Sequence, residues 1–81
     1  EIIEKIREIT LSVKEVKDIK NLKTRIFGNK IYVDIAITVD GNITVTEGHD
    51  VAERVHDLIE YAIEDVKHCM IHVEPELNNI E

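Results

Sequence analysis

The sequence has little of several residue types on which particular functions depend. Its 81 residues include one cysteine, one proline, three glycines and no tryptophan. A single cysteine excludes an internal disulfide and fits a reducing compartment. Three glycines do not make a phosphate-cradling loop, and the one serine, Ser12, lies within a helical pattern, so no nucleophile with a paired base can be recognised. We therefore expect no enzymatic activity.

Positive charge and aromatic rings are also scarce. Ten Lys and Arg residues stand against 17 Asp and Glu residues, a net charge of −7, and the only aromatic residues are Phe27, Tyr32 and Tyr61. Nucleic-acid binding depends on clustered basic residues and on stacking rings, so we expect no nucleic-acid partner. An acidic surface also repels anionic lipid and mildly favours cations.

No apolar run is long enough to cross a bilayer. The longest, Ile35 to Val39, is far short of the about 20 residues that a membrane span needs, and we expect no signal peptide. The length is that of one domain. Because the chain begins without Met and inside a helical pattern, we expect it to be excised from a longer protein.

Hydrophobic periodicity predicts a helix at the start of the chain. The apolar residues Ile2, Ile6, Ile9, Val13 and Val16 recur at spacings of four, three, four and three, which is one stripe of an amphipathic helix. We predict a helix over residues 1–15, a core over residues 16–76 and a loose tail over residues 77–81.

A β-hairpin is predicted next, because the period changes from helical to two. Alternation begins at Leu22 and runs to Phe27, Gly28-Asn29 is a turn signal, and a second, clearer strand runs from Ile31 to Val39. In that second strand Tyr32, Asp34, Ala36 and Thr38 should point away from the core.

A second helix and a last strand complete the predicted fold. Thr44 followed by Glu47 fits a capping box and opens a helix to about Asp65, and Met70 to Glu74 forms a strand that Pro75 ends. The order α-β-β-α-β predicts the α+β class: an open sandwich of a three-stranded sheet with two helices on one face.

Four histidines could carry chemistry, and His72 is the most suggestive of them. On a strand, His72 and Glu74 project from the same face, so an imidazole and a carboxylate would form a half-site for zinc or a similar divalent ion. The alternative is that both are merely polar residues on the solvated side of a strand.

The other histidines are weaker candidates. His49 and His56 share one face of the second helix, where His49 could bind metal as a neutral imidazole, but both could equally be boundary residues, which we favour for His56. His68 with Cys69, in the predicted connection before the last strand, could bind a soft metal. The alternative is a loop histidine and a buried thiol.

Several of these segments together resemble one known family. They are Leu22-Lys23-Thr24-Arg25, Gly28, the alternating strand, a helix of the form His-x-x-Ala-x-x-Val beginning at His49, and Ile71-His72-Val73-Glu74-Pro75. From about Val16 onward the chain resembles the C-terminal cytosolic domain of cation diffusion facilitator transporters.

The resemblance implies both a fold and a role. The fold would be ferredoxin-like, similar to that of metallochaperones. The domain would form a homodimer on the cytoplasmic face of a membrane, attached to a transmembrane domain of the same chain. It would bind Zn²⁺ or another divalent transition metal, and metal would change the angle between protomers and thereby tune cation efflux.

The family ligands fall on His49, His72 and Glu74 of this sequence. Two further family histidines fall on Lys20 and Ala36, so the site is depleted and a shifted site could use Asp34, His68 or a partner chain. Two alternatives follow: a purely structural dimerisation module with a decayed metal site, or a small-molecule regulatory domain with a ligand pocket.

Overall fold

The computed structural model describes residues 1–76, so the predicted loose tail over residues 77–81 lies outside the described part. Two helices and three strands follow in the predicted order. They are α1 (Ile2–Leu11), β1 (Asp18–Phe27), β2 (Lys30–Val39), α2 (Val45–Ala62) and β3 (Val66–Pro75).

The three strands form one mixed sheet in the order β1-β2-β3. The central strand β2 pairs antiparallel with β1 and parallel with β3, with α2 as the crossover between the two parallel strands. α2 packs against β3, and α1 packs against both β1 and α2. The predicted α+β class and the placement of both helices on one sheet face are confirmed, and within residues 1–76 no element covers the opposite face.

The β1–β2 connection is a two-residue turn between Phe27 and Lys30, which pair with each other. Gly28 has φ +63°, and no other residue type in the described range has a positive φ. A glycine with positive φ at the first of two turn positions suits the type II′ hairpin turn, whose twist matches that of the strands.

The core is built on the alternation of β2. Ile35 and Ile37 are completely buried, as are Ile6 of α1 and Val55 of α2 that cover the same sheet face. The residues between them in β2 point to the uncovered face. The alternation of apolar and polar residues in the sequence therefore correctly predicts which residues of β2 are buried and which face outward.

α2 begins as predicted and ends earlier than predicted. The Thr44 hydroxyl accepts from the Glu47 N–H, and the Glu47 carboxylate accepts from the Thr44 N–H, which completes the capping box. The helix ends at Ala62 rather than near Asp65 because Ile63 is already extended, with φ −125° and ψ 101°. Leu58, an apolar residue of this helix, is 39% exposed.

α1 is shorter than the predicted helix over residues 1–15. Beyond Leu11 the backbone bonds change to the i→i−3 kind, from Val13 N–H to Thr10 C=O and from Val16 N–H to Val13 C=O. These tight turns keep Val13 and Val16 buried while the chain swings toward the sheet, which it joins at the bond from Lys17 N–H to Thr38 C=O.

The two outer strands are longer than predicted. β1 starts at Asp18 instead of Leu22, and β3 starts at Val66 instead of Met70. Nine residues of β1 pair with β2, and nine residues of β3 pair with β2, so each outer strand runs nearly the full length of the central strand. Pairing with a well-defined central strand extends its neighbours beyond their own sequence patterns.

Candidate metal site

The uncovered face of the sheet carries the polar side chains that could bind a metal ion. Because β2 buries its odd-numbered residues, Asp34 and Ala36 point outward, and the register places His72 of β3 directly beside Ala36. We call this side of the sheet the outer face. The side chains of His72 and Glu74, two residues apart in β3, both lie on it, as predicted from the strand period.

The central contact on the outer face joins His72 and Asp34. His72 Nε2 lies 2.9 Å from Asp34 Oδ1, and their side chains are 50% and 55% exposed. With metal–ligand bonds near 2.0–2.1 Å, two ligands of a tetrahedral ion lie about 3.3 Å apart. An imidazole nitrogen and a carboxylate oxygen therefore lie close to the spacing of two ligands on one ion.

Glu74 is engaged elsewhere. Lys20 Nζ donates to Glu74 Oε1 at 2.9 Å, reaching across the central strand from β1 to β3. This contact was not predicted, because nothing in the sequence indicates that the side chain of Lys20 reaches residue 74. The half-site predicted from His72 and Glu74 is therefore split, with His72 bonded to Asp34 and Glu74 bonded to Lys20.

His49 is not beside these residues in a single chain. It lies in the first turn of α2, with Nε2 3.9 Å from Glu53 Oε1, and it lines a groove along the inner side of β3 with Ile71 and Val73. Within residues 1–76, no three metal-ligating side chains of His, Cys, Asp or Glu are grouped around one point. A site that included His49 would need a second copy of the chain.

His56 is held by two carboxylates on α2. Nδ1 lies 3.0 Å from Asp57 Oδ1, and Nε2 lies 3.1 Å from Glu60 Oε2. The hydrogen bond to Asp57 raises the pKa of His56 above its usual 6.5, partial burial opposes this, and the charge of Glu60 adds to the increase. Because Asp57 and Glu60 place a carboxylate acceptor beside each ring nitrogen, the protonated imidazolium is favoured over the neutral ring that could bind a metal.

This pairing predicts a pH-dependent contribution to stability. Since the folded pKa is raised, the contribution of His56 is fully present below the unfolded value near 6.5 and is lost as the pH rises through the folded value. The difference in urea midpoint between the wild type and His56→Gln should thus be larger at about pH 6 than at about pH 8.5. An NMR titration that placed the His56 pKa at or below that of an unfolded histidine would contradict it.

His68 and Cys69 do not form the predicted soft-metal pair, and they do not lie in a loop. Both belong to β3, where neighbouring residues point to opposite faces. His68 is exposed on the outer face, with its ring centroid 6.3 Å from that of Tyr32, whereas Cys69 is 4% exposed in the core. Burial raises the pKa of Cys69 to about 12, so the metal-binding thiolate is absent at neutral pH.

His68 is also too far along the strand to join His72. Four residues of β-strand span about 13 Å, and Met70 stands between them on the same face. His68 instead belongs to a groove with Phe27, Tyr32 and Met70. Of the further candidates predicted from the sequence, Asp34 alone contacts His72.

No helix among residues 1–76 has the length and apolar character to span a bilayer. The described residues form a two-layer α+β domain with a histidine–carboxylate pair on its outer face.

Comparison with known proteins identifies the family. The family described as "Cation efflux protein, cytoplasmic domain" matches residues 1–76. The chain is a member of this family of cation-transporter domains, which is not an enzyme class. The resemblance found in the sequence is thereby confirmed.

Several relatives are named as transporters or metal-tolerance proteins. The chain is 36% identical over 74 residues to the uncharacterised transporter YdbO of Bacillus subtilis, which covers 91% of this chain and 25% of that protein. It is 29% identical over 75 residues to the manganese efflux system protein MneP of the same organism, covering 93% and 25%. It is 34% identical over 73 residues to metal tolerance protein C1 of Arabidopsis thaliana, and the match covers 90% of this chain and 16% of that protein. The chain thus spans a quarter or less of the length of these relatives.

Solved structures share the fold. A variant of the MamM CTD superposes with a TM-score of 0.90 at 25% identity, covering 94% of this chain and 95% of that one. A copper form of another MamM CTD variant gives the same TM-score at 24% identity, with 94% and 95% coverage.

Proposed function

We propose that this domain senses a divalent transition metal ion for a cation efflux transporter and that His72 and Asp34 begin its binding site. The observation that carries the proposal is the 2.9 Å contact between His72 Nε2 and Asp34 Oδ1 on an open sheet face. Imidazole suits zinc and its neighbours and carboxylate suits harder ions, so this donor pair accepts Zn²⁺ and also Mn²⁺. The name of MneP as a manganese efflux protein supports a divalent transition metal as the ion sensed.

The site is completed by a second copy of the chain in this proposal. Zinc prefers four ligands, and one chain brings only two of them together. Glu74 on the same face and His49 of a second protomer are the remaining candidate ligands, with water in any open position. Metal bound between protomers would fix their relative angle, which is how a metal signal would reach the transport machinery.

The outer face also has apolar side chains that favour self-association. Phe27 is 60% exposed, Met70 is 46% exposed and Tyr32 is 37% exposed, and all three line one groove on that face. Phe27 and Tyr32 pack edge to face, with ring centroids 5.5 Å apart. An uncovered cluster of this kind beside a metal-binding pair suits an interface between two copies of the chain.

Calorimetric titration with zinc at about pH 7.5 tests the site. His72→Ala removes the imidazole and leaves Asp34 alone, so zinc affinity should fall at least about tenfold. His68→Ala is the matched control, because it makes the same change on the same face of the same strand and leaves the 2.9 Å contact between His72 and Asp34 intact. Undiminished binding by His72→Ala would rule out this site.

Sedimentation separates metal sensing from a purely structural role. If metal closes the dimer, the sedimentation coefficient should increase with zinc and return to its starting value with chelator. A dimer that is indifferent to chelator, and that contains no metal by elemental analysis, would instead support a scaffold whose metal site has decayed.

A further inference from the structure

A β-bulge brings Lys20 onto the outer face. In the β1–β2 ladder Ile19 pairs with Ile37 and Asn21 pairs with Ala36, so Lys20 is an extra residue without a partner in β2. A bulge of this kind re-aims a side chain out of the regular alternation. Here it turns Lys20 toward the strand that carries the candidate metal ligands.

The path from Lys20 to Glu74 is open because the central strand has small side chains at this level. Ala36 lies opposite His72, and Thr38 lies opposite Glu74. The lysine side chain crosses above them, and Nζ reaches Glu74 Oε1 at 2.9 Å. The ammonium group therefore lies on the same face and within two residues of the contact between His72 and Asp34.

We propose that Lys20 is a tethered cation that competes with metal for Glu74 and so determines how tightly the site binds. This inference rests on the proposed function of His72 and Asp34. The ammonium and a divalent ion both require the same carboxylate, and their like charges disfavour simultaneous occupancy. The domain then binds one ion through His72 and Asp34, and Glu74 becomes a ligand only when Lys20 is displaced.

The ion pair between Lys20 and Glu74 is weak enough for a metal ion to displace Lys20. The side chains of Lys20 and Glu74 are 62% and 40% exposed, and ion pairs exposed to this degree are weak. A divalent ion at sufficient concentration can displace the ammonium. Lys20 should therefore raise the metal concentration at which the domain responds, without abolishing the response.

Zinc titration calorimetry on substituted domains tests the role of Lys20. Lys20→Met keeps the length of the side chain, removes its charge and releases Glu74, so affinity should rise roughly two- to fivefold. Lys20→Arg retains the charge and should bind like the wild type. Lys30→Met removes one positive charge at the hairpin end of the sheet, about 20 Å away along the strand, and should also bind like the wild type.

A double variant shows whether Glu74 is the group released. In Lys20→Met combined with Glu74→Gln, the gain in affinity should disappear. If it persists, the gain comes from lost charge repulsion alone and the competition for Glu74 is wrong. Equal affinities for the wild type and Lys20→Met would overturn the proposal entirely.

If the proposed metal site at His72 and Asp34 is wrong, the zinc affinities of the variants differ from those given above. If the wild type and His72→Ala bind zinc equally or not at all, the proposed function fails. Zinc binding that appears or strengthens in Lys20→Met and is lost again in the double variant would still support the competition for Glu74, whereas unchanged binding in Lys20→Met would overturn it. Thermal unfolding of each variant, followed by circular dichroism, shows whether the substitution has preserved the fold.

Discussion

Replacing Ile35 with alanine should lower the free energy of unfolding by about 2–5 kcal/mol, a large fraction of the stability of an 81-residue domain. Ile35 is completely buried at the middle of the central strand, between Leu22 of β1 and Ile71 of β3. Truncation removes buried methyl groups and leaves a cavity that the flanking strands cannot close without breaking their pairing. Urea unfolding followed by circular dichroism measures the change.

The sheet offers a matched control for this substitution. Ile26→Ala makes the same chemical change in β1, but Ile26 is 69% exposed, so its effect should remain within about 0.5 kcal/mol. Ile35→Val should cost about 0.5–1.5 kcal/mol and remains measurable if the alanine variant does not fold. Equal destabilisation by Ile35→Ala and Ile26→Ala would mean that the described packing is wrong.

Saturating zinc should stabilise the domain by about 2.7 kcal/mol when its free concentration is a hundred times the dissociation constant. For a domain of this size that corresponds to an increase of roughly 10–20 °C in Tm. The stabilisation arises because the folded chain presents His72 and Asp34 together and the unfolded chain does not. Differential scanning fluorimetry with and without zinc measures it.

The same stabilisation should disappear in acid. In the proposed site metal would bind the neutral imidazole and the carboxylate, so protons would compete with zinc, and the increase in Tm should be largely absent at about pH 5. At neutral pH the variant His72→Ala, with zinc affinity at least about tenfold lower, should show about half of the wild-type increase or less, whereas His68→Ala should behave like the wild type. A zinc-dependent increase in Tm that is identical in all three proteins would show that the ion binds elsewhere.

Much of the fold could be predicted because its signals are local. The alternation from Ile31 to Val39 identifies the central strand and its buried side, and the capping box places the start of α2 at Thr44. The extents of the other elements could not be predicted. β1 and β3 are extended by pairing with β2, and α1 is cut short at Leu11 where the chain must turn to join the sheet.

The individual residues of the candidate site could be predicted from the sequence, but the contacts between them could not. The strand period correctly puts His72 and Glu74 on one face, and Asp34 was recognised as a further candidate on the outer side of β2. The pairing of His72 with Asp34 depends on the parallel register of two strands that are separated by a helix. No local pattern encodes that register.

The sequence by itself determined the order of elements, the buried face of the central strand, the helix start and the family to which the domain belongs. These follow from neighbours within a few positions along the chain, where side-chain periodicity and capping act. The tertiary structure alone decided that Asp34 meets His72, that a bulge carries Lys20 to Glu74, and that His49 lies apart from both pairs in a single chain. Those contacts depend on how distant segments align, and that alignment is settled only when the whole core packs.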